Sequence, residues 1–490
     1  MSQTQEIELK FLCAPEDLGR VLAAAPDGAD DTRELISVYF DTPDLDLQKA
    51  GASLRVRESK GQRIQTLKRG DGLAREEHET PIASDAPDPS LGPLPGLLPE
   101  GLRGALKPAF HVRVTRRQRL IHFDGAEIEL ALDQGEVRGG KRVSAISEVE
   151  LELKSGKPAA LYGLARLLSH AAPIYLSFAT KSQRGQALVA NCPVHAHRRT
   201  RLEVERDATI GEVFQAIGRS ALESIAANAE LLRQQADGEA VHQLRVAART
   251  LRSALSTFKK VVADKEFAQV KAELRWLAKA CDEARNLDVL AKETLAFAAD
   301  LTPQPPGLPA LVSAIGAARD RAQAEVSQTV ASARFRDLLI TVTGWVDTGA
   351  WLSRAPSGEP AKPFAAKALQ SRRRKLLKDG RGLMKLSDED RHQVRIDAKK
   401  LRYAAEAFQP LFGRKAAARF IKQLKTLQDE LGAVNDLATA DQVIARLELS
   451  PDAAFAAGEL VGLKSADKGR HVAHAAKALG GLAEGDAFWR

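Results

Sequence analysis

The sequence has only three cysteines and 5% aromatic residues in 490, and it contains no run of about 18 apolar residues. Without such a run, no segment is predicted to cross a bilayer as a helix. Cys13, Cys192 and Cys281 are far apart and show no CxxC or Cys/His spacing, which disfavours a disulfide framework and a zinc site. The start MSQTQEIELK lacks the basic and apolar regions of a secretion signal, so we expect a cytoplasmic protein.

Charge is distributed unevenly along the chain. Residues 1–205 hold 28 Lys and Arg against 29 Asp and Glu, whereas residues 206–490 hold 44 against 35. Residues 366–425 alone hold 18 basic and 6 acidic side chains. Such a field attracts polyanions, so nucleic acid, an acidic membrane surface and polyphosphate are the candidate partners of the second half.

The texture of the sequence changes near residue 200. Short segments of alternating polarity, separated by Gly, Pro and Asp, fill residues 1–190, with one helical patch in PAALYGLARLLSHA and a Pro-rich excursion at 81–101. From about residue 208, apolar residues recur at the helical period. We therefore predict an α+β protein with a first domain at 1–195 and an all-helical domain at 206–490, with loops at 302–309 and 353–363.

The helical part contains an internal repeat. VHQLRVAARTLRSALSTF at 241–258 aligns without gaps with RHQVRIDAKKLRYAAEAF at 391–408, an offset of 150 residues. The same offset places LAKACDEARNLD on LQDELGAVNDLA. The repeat predicts two related helical bundles, at 206–300 and 360–450, each containing the same basic helix.

Five alternating segments of the first domain carry a charge at every second position: EIELK, LRVR, TLK, EIELALD and EVELELK. One such strand is usually an exposed sheet face. If the sheet closes, however, the charges of all five point inward together, and the apolar residues point outward beneath helices. The predicted inner residues are Glu6, Glu8, Lys10, Arg55, Arg57, Lys68, Glu129, Glu148, Glu150 and Glu152.

A charged interior needs compensation, because unpaired buried charges are costly. Acids and bases on opposing walls supply part of it, and a divalent cation with an anionic ligand would supply the rest. Carboxylates without Cys or His favour Mg²⁺ or Mn²⁺ over zinc, while Arg and Lys suit phosphate oxygens. The residues therefore predict a metal and phosphate site.

These motifs, with YFDTPDLDL at 39–47, ALDQG at 131–135 and KSQRG at 181–185, resemble the CYTH domain of triphosphate tunnel metalloenzymes. The resemblance implies an eight-stranded antiparallel tunnel with flanking helices that cleaves or cyclises triphosphates with Mg²⁺ or Mn²⁺. It implies metal ligands at Glu6, Glu8, Asp133, Glu148 and Glu150, with Glu6, Glu8 and Lys10 catalytic. It also implies phosphate-binding roles for Lys10, Arg55, Arg57, Lys68, Arg116 and Lys181.

The segment FHVRVTRRQRL departs from the family pattern. Val112 and Arg119 stand where a Thr and an aromatic residue are expected. Arg113, Arg116 and Arg117 therefore stay alternatives for the inner base of this strand.

The repeated basic helix resembles the CHAD domain, which is often joined to CYTH. In the first copy, His242, Arg245, Arg249 and Arg252 share one helical face, and His392, Arg395, Lys399 and Arg402 share it in the second. A solvated face readily explains one copy and explains two copies less well. The resemblance implies that these eight residues bind inorganic polyphosphate. Asn286 replaces an expected Asp in the first copy, whereas Asp436 is retained in the second.

The leading hypothesis is therefore a divalent-metal-dependent hydrolase of inorganic triphosphate with a polyphosphate-binding helical domain, in the cytoplasm or on polyphosphate granules. Nucleoside or thiamine triphosphate hydrolysis and adenylate cyclisation are alternative activities. A non-catalytic polyphosphate-binding or granule-associated protein is the alternative from another class. Nucleic acid is disfavoured, because no aromatic stacking platform accompanies the bases.

Overall fold

The computed structural model describes residues 4–59, 61–70, 74–192, 194–200, 202–300 and 303–489. The chain divides into two compact units. The first consists of Met1–His195 together with Ser332–Gly344, and the second of Ala196–Ala331 together with Trp345–Arg490. The domain boundaries predicted from the sequence do not place residues 332–344 in the first unit.

The first unit is built on an antiparallel sheet. Its strands are β1 (Thr4–Leu12), β2 (Asp30–Asp41), β3 (Ala52–Ser59), β4 (Gln62–Arg69), β5 (Ala74–Ile82), β6 (Lys107–Phe123), β7 (Ala126–Gly139), β8 (Arg142–Ser155) and β9 (Tyr175–Ser177). They follow the order β5-β4-β3-β2-β6-β7-β8-β1-β9, and β1 also pairs with β5. Among the described residues the sheet thus has nine strands where eight were predicted, because the short β9 pairs with the second half of β1.

Local sequence explains the longest hairpin. Asp124 and Gly125 join β6 to β7 and both have positive φ, at 49° and 71°. This is the backbone shape that tight hairpin turns require and that Asp-Gly readily adopts. The turn fixes the register in which Arg116 lies opposite Asp133, so it helps to set the position of two charged side chains.

The apolar face of the sheet is covered, as predicted. Leu54 of β3 is fully buried in a cluster with Leu94 and Leu98. Both leucines come from the Pro-rich excursion, which is therefore a structural cover. Gln65 of β4 fastens it by donating to the Asp88 carbonyl at 3.0 Å and accepting from the Asp88 N–H at 2.7 Å.

Short helices accompany the sheet in the N-terminal part of this unit. They are α1 (Leu18–Ala24), α2 (Asp46–Lys49), α3 (Leu94–Leu97), α4 (Glu100–Arg103), α5 (Ala159–Ala171) and α6 (Lys181–Val189). The helix predicted from PAALYGLARLLSHA is confirmed as α5. The buried carboxylate of Asp41 accepts the N–H groups of Thr42, Leu47 and Gln48, which gives the YFDTP segment a structural role at the start of α2. Thr180 and Gln183 form a capping box that starts α6.

The rest of the described chain is helical, and the predicted α+β class is confirmed. The helices are α7 (Ile210–Gln234), α8 (Gly238–Val262), α9 (Phe267–Ala280), α10 (Asp282–Asp300), α11 (Leu308–Ala331), α12 (Ala333–Thr348), α13 (Ala361–Asp379), α14 (Asp388–Phe408), α15 (Arg414–Ile444), α16 (Pro451–Ala466) and α17 (Lys468–Glu484). Within the described residues, none of the helices combines the length and apolarity needed to span a membrane.

The two repeated segments form α8 and α14. Side chains cap both at their N-termini: Asp237 accepts from the Ala240 N–H, and Ser387 accepts from the Asp390 N–H. Each helix buries an apolar stripe, which leaves its polar face for the basic residues.

Candidate functional site

Three carboxylates meet on the charged face of the sheet. Asp133 of β7 lies directly opposite Glu148 of β8, and Glu150 shares that face two residues later. Their oxygens lie within 4.8 Å of one another. Asp133 and Glu148 are completely buried, and Glu150 is 9% exposed. Strand alternation therefore brings these acids together. Alternation predicts Glu148 and Glu150 on this face, and the family resemblance adds Asp133.

Lys181, the first residue of α6, reaches into this acidic group. Its Nζ lies 2.7 Å from Asp133 Oδ2 and 2.9 Å from Glu150 Oε1, and it also contacts Glu148. Burial alone would lower the pKa of Lys181, but the three carboxylates outweigh burial and raise its pKa far above the usual lysine value. Lys181 therefore stays protonated at physiological pH.

Arg116 and Lys10 complete the charge balance. Arg116 donates to the two oxygens of Asp133, each at 2.7 Å, and to Glu150 Oε2 at 2.5 Å. Lys10 Nζ lies 3.2 Å from Glu150 Oε1. Burial would raise the pKa of Glu150, yet Lys181, Lys10 and Arg116 together hold it well below its usual range. The bases thus keep Asp133 and Glu150 ionised in spite of their burial.

Glu148 has a different environment from the other two acids. Neither of its oxygens has a hydrogen-bond partner among the described residues, although both are buried. Its contact with Lys181 is an ion pair. A buried carboxylate without hydrogen bonds is costly, and hard carboxylate oxygens are the ligands that Mg²⁺ and Mn²⁺ prefer. Asp133, Glu148 and Glu150 therefore fit a divalent cation.

A basic wall lies on β3. Arg55 hydrogen-bonds Tyr39, whose ring stacks on Phe110 at a centroid distance of 4.6 Å. Arg57 Nε is buried without a hydrogen-bond partner in the described part of the chain. Burial, with the charges of Arg55 and Arg116, lowers the pKa of Arg57 to about 10. An anion would satisfy this guanidinium group.

Acids missing from the sequence prediction face the basic wall. Glu77 of β5 lies 3.6 Å from Arg55 and 3.2 Å from Lys68. Glu79 accepts a hydrogen bond from Thr66 at 3.1 Å and lies 3.9 Å from Arg55. The alternation of Glu77 and Glu79 in the segment AREEHET could have predicted that both acids lie on the charged face. Tyr39 was also absent from the predicted site residues. Its motif, YFDTPDLDL, served only to identify the family resemblance, and no role was predicted for the phenol group.

The remaining predicted residues of the first domain take several positions. Glu8 is 15% exposed at its side chain and lies 4.0 Å from Lys10. Glu6 belongs to β1, but its side chain lies outside the described residues. Arg113 and Arg117 pair with acids on the exposed side, at 2.5 Å from Glu34 and 2.6 Å from Asp30. Of the three arginine alternatives, Arg116 is the one beside the carboxylates.

In the second unit, bases from both sequence repeats come together. Arg245 and Arg249 of α8 face Arg395 and Lys399 of α14, and we call these four residues the basic cluster. Burial, reinforced by Arg395, Arg249 and Arg245, lowers the pKa of Lys399 to about 7. Burial followed by the charge of Arg245 also lowers the pKa of Arg249. The cations thus repel one another in a half-buried place, which favours a bound anion.

The basic cluster has fewer acids than bases beside it. Arg245 donates to Asp282 at 2.6 Å, and Arg395 lies 3.6 Å from Asp436. Asp282 lies one helical turn before Asn286, the residue that replaces an expected Asp. Asn286 instead lines a groove beside Arg321.

Four predicted polyphosphate ligands have other neighbours. His392 Nδ1 contacts the Asn435 side chain. Burial and then Arg285 lower the pKa of His242 to about 4, so this imidazole is neutral at physiological pH. Arg402 donates to Gln428 at 2.9 Å and Glu406 at 2.6 Å, and Arg252 lies near Arg275. The sequence predicted one helical face but could not show which of its members would converge.

The protein thus has two parts. The first is an antiparallel sheet with paired acids and bases on one face, and the second is a set of helices with duplicated basic faces. Residues 4–185 match the CYTH domain, and residues 216–445 match the CHAD domain. The chain is therefore a CYTH domain followed by a CHAD domain, which confirms both resemblances found in the sequence.

Known proteins resemble the two parts separately. A protein of Haemophilus influenzae named inorganic triphosphatase is 34% identical over an alignment of 194 residues, and the match covers 38% of this chain and 55% of that protein. The match thus spans about half the length of that relative. The crystal structure of the CHAD domain from the plant Ricinus communis has 28% sequence identity and a TM-score of 0.53. It covers 60% of this chain and 98% of that one.

Proposed function

We propose that the CYTH domain hydrolyses inorganic triphosphate to pyrophosphate and phosphate with Mg²⁺ or Mn²⁺, and that the CHAD domain binds inorganic polyphosphate. The observation that carries the first part is the buried group of Asp133, Glu148 and Glu150 beside buried bases. The relative named inorganic triphosphatase supports the choice of substrate. Cytoplasmic location and association with polyphosphate granules complete the proposal.

Asp133, Glu148 and Glu150 would hold the divalent cation, together with the sequence-predicted ligands Glu6 and Glu8. When bound, a divalent cation polarises phosphoryl oxygens and promotes attack by water. Lys181 neutralises the same carboxylates. In this proposal its ammonium group moves from the acids toward phosphate when the cation is present.

The bases of the chain bind and orient the phosphate chain. Arg57 offers a buried Nε without a hydrogen-bond partner among the described residues, and Arg55 and Lys68 extend the wall. Arg116 and Lys10 lie beside the acids, where they neutralise charge that builds up on the leaving phosphate. Burial of these bases makes their interaction with phosphate stronger than it would be in water.

Polyphosphate binding by the CHAD domain is supported by the basic cluster. Arg249 and Lys399 have no ion pair among the described residues, while Arg245 and Arg395 each have one acid. The four cations and two acids leave a positive excess in a half-buried place. A chain of phosphates matches that excess and can contact bases from both repeats at once.

One experiment tests both parts. Phosphate release is measured from tripolyphosphate, ATP, thiamine triphosphate and long polyphosphate, with Mg²⁺, with Mn²⁺ and with EDTA, and adenylate cyclisation is followed with ATP. We expect preferential, metal-dependent release from tripolyphosphate. Polyphosphate and double-stranded DNA binding by the full-length protein is measured in parallel at equal ionic strength. No preference for tripolyphosphate rejects the substrate, and equal affinity for DNA rejects the polyphosphate partner.

A further inference from the structure

Two histidines of α17 face one carboxylate of α15. His471 Nδ1 lies 2.7 Å from Glu430 Oε2, and His474 Nδ1 lies 3.6 Å from Glu430 Oε1. The histidines are three positions apart in α17, so consecutive turns place them on the same face of the helix. Each imidazole thus meets a different oxygen of the same carboxylate, and we call these three residues the histidine group.

The histidine group belongs to neither of the sites proposed above. It contains none of the acids of the sheet and none of the residues of the basic cluster. Helix α17 (Lys468–Glu484) also begins after residue 445, the last that matches the CHAD domain. Neither triphosphate hydrolysis nor polyphosphate binding therefore accounts for the arrangement of these side chains.

The donor atoms of the histidine group select a class of metal. Imidazole nitrogen together with carboxylate oxygen suits Zn²⁺ and its neighbours among the first-row transition metals, whereas Mg²⁺ takes oxygen ligands. Zinc sites with three protein ligands leave the fourth position to water or another small ligand. The histidine group therefore differs in chemistry from Asp133, Glu148 and Glu150, which offer carboxylates alone.

The spacing of the donor atoms is close to that around zinc. Ligand atoms bound about 2.1 Å from a tetrahedral zinc ion lie about 3.4 Å from one another. The two nitrogen–oxygen distances, 2.7 and 3.6 Å, lie on either side of this value. The side chain of His474 is 54% exposed. An exposed side chain changes rotamer readily, so this imidazole can turn toward a metal that the other two residues already face.

We propose that His471, His474 and Glu430 form a binding site for Zn²⁺ or a similar transition metal. Both histidines bind the metal as neutral imidazoles, and the metal replaces the hydrogen bond between His471 and Glu430. The bound ion connects α17 to α15. It thus adds to the ion pair of Lys468 with Asp388, at 2.6 Å, which connects the start of α17 to α14. The metal therefore stabilises the packed position of α17.

The first test titrates the full-length protein with Co²⁺ in the presence of excess Mg²⁺, which competes for sites made of carboxylates alone. Co²⁺ held by imidazole nitrogens in a four- or five-coordinate site absorbs visible light much more strongly than Co²⁺ in water. We expect one such Co²⁺ for each chain, and we expect Zn²⁺ to displace it, because Zn²⁺ binds these ligands more tightly. A protein that shows no such absorption would overturn the proposal.

Variants identify the ligands. Partners that only orient a metal ligand are worth about 10–100-fold in affinity, so His471→Gln, His474→Gln and Glu430→Gln should each weaken Zn²⁺ binding by at least about tenfold. His170→Gln is the matched control, since it removes an exposed histidine at the end of α5, and it should bind Zn²⁺ within twofold of wild type. Wild-type affinity in His474→Gln would overturn the site.

Thermal unfolding separates a metal site from an ion pair between a protonated histidine and Glu430, which needs no metal. Zn²⁺ should raise the Tm of wild type and of His170→Gln, and it should have little effect on the Tm of His474→Gln. Circular dichroism without metal checks that each variant is folded. An equal Tm increase in wild type and His474→Gln would show that Zn²⁺ acts elsewhere and would overturn the proposal.

Discussion

Lys181 Nζ lies 2.7 Å from Asp133 Oδ2, so the first residue of α6 reaches a carboxylate in the middle of β7. The ammonium group also contacts Glu148 and lies 2.9 Å from Glu150. The ammonium group of Lys181 therefore occupies the place where these acids would bind a divalent cation. Competition between Lys181 and a divalent cation for these carboxylates can be measured.

Replacing Lys181 with Met is expected to destabilise the CYTH domain, because it leaves buried carboxylates without their common partner. Breaking a buried ion pair in this way costs about 3–5 kcal/mol. A divalent cation should restore part of that loss. Thermal unfolding with and without Mg²⁺ should thus show a larger Tm increase in Lys181→Met than in wild type. Lys154→Met, which removes an ion pair of a more exposed lysine with Glu152, is the control. Equal Tm increases in Lys181→Met and wild type would contradict competition between Lys181 and the cation, and no increase in either protein would contradict cation binding at these acids.

Glu148→Gln should abolish turnover while the domain stays folded. The change removes the charge of a buried carboxylate that has no hydrogen bonds among the described residues, and we expect phosphate release from tripolyphosphate to fall by about 100-fold or more. Circular dichroism checks the fold. Glu136→Gln, on the exposed pair with Arg138, is the matched control and should retain activity. Activity of Glu148→Gln near the wild-type value would remove Glu148 from the site.

Gly185→Ala should displace α6, because a Cβ at this position would collide with the ring of Phe110. The ring stacks on Tyr39 and cannot move freely, so we expect lower stability by about 1–3 kcal/mol and a reduced turnover number from a misplaced Lys181. Gly19→Ala is the control, since a Cβ there meets no atom within 4 Å. A Gly185→Ala protein with wild-type Tm and kinetics would show that this contact does not position the helix.

Polyphosphate affinity should fall as pH rises from 6 to 8. Lys399, with a pKa of about 7, is largely protonated at pH 6 and largely neutral at pH 8. Bound phosphate favours the protonated amine and raises its pKa, so affinity is highest at low pH and decreases by up to about tenfold across this interval. Titrations at constant ionic strength measure the effect.

Two variants assign this pH dependence. Lys399→Arg keeps the cation at every pH and should flatten the profile. His242→Gln should leave its slope unchanged, because the His242 pKa of about 4 makes the imidazole neutral throughout. A profile that flattens in His242→Gln instead would transfer the effect to the histidine.

Strand alternation, a local property of the sequence, predicted a shared face for Glu148 and Glu150, and the family resemblance added Asp133. Asp133, Glu148 and Glu150 occur in segments of period two, and neighbouring strands place equivalent positions side by side. Lys181 belongs to no such segment. Its position depends on the Thr180 cap and on the packing of Gly185 against Phe110, which periodicity does not contain. Family resemblance supplied that residue.

The repeat was equally visible in the sequence, but the side-chain contacts between its two copies were not. Arg249 and Lys399 belong to helices separated by more than a hundred residues, and only tertiary packing brings them into the basic cluster. Arg402, on the same predicted face as Lys399, bonds Glu406 of its own helix. Some residues of one helical face join the basic cluster and others pair within their own helix. Which of the two occurs depends on the neighbouring helices, and the spacing of residues along one helix does not contain that information.

The acid that serves Arg245 is Asp282, one helical turn before Asn286, whereas the equivalent Arg395 has Asp436, which aligns with position 286. A duplicated bundle has thus kept an interaction while moving one of its members along the helix. An alignment that scores position 286 alone would record a lost acid. Repeats of this kind should therefore be compared by the ion pairs between packed helices. An ion pair can be present in both copies even when its acid stands at different aligned positions.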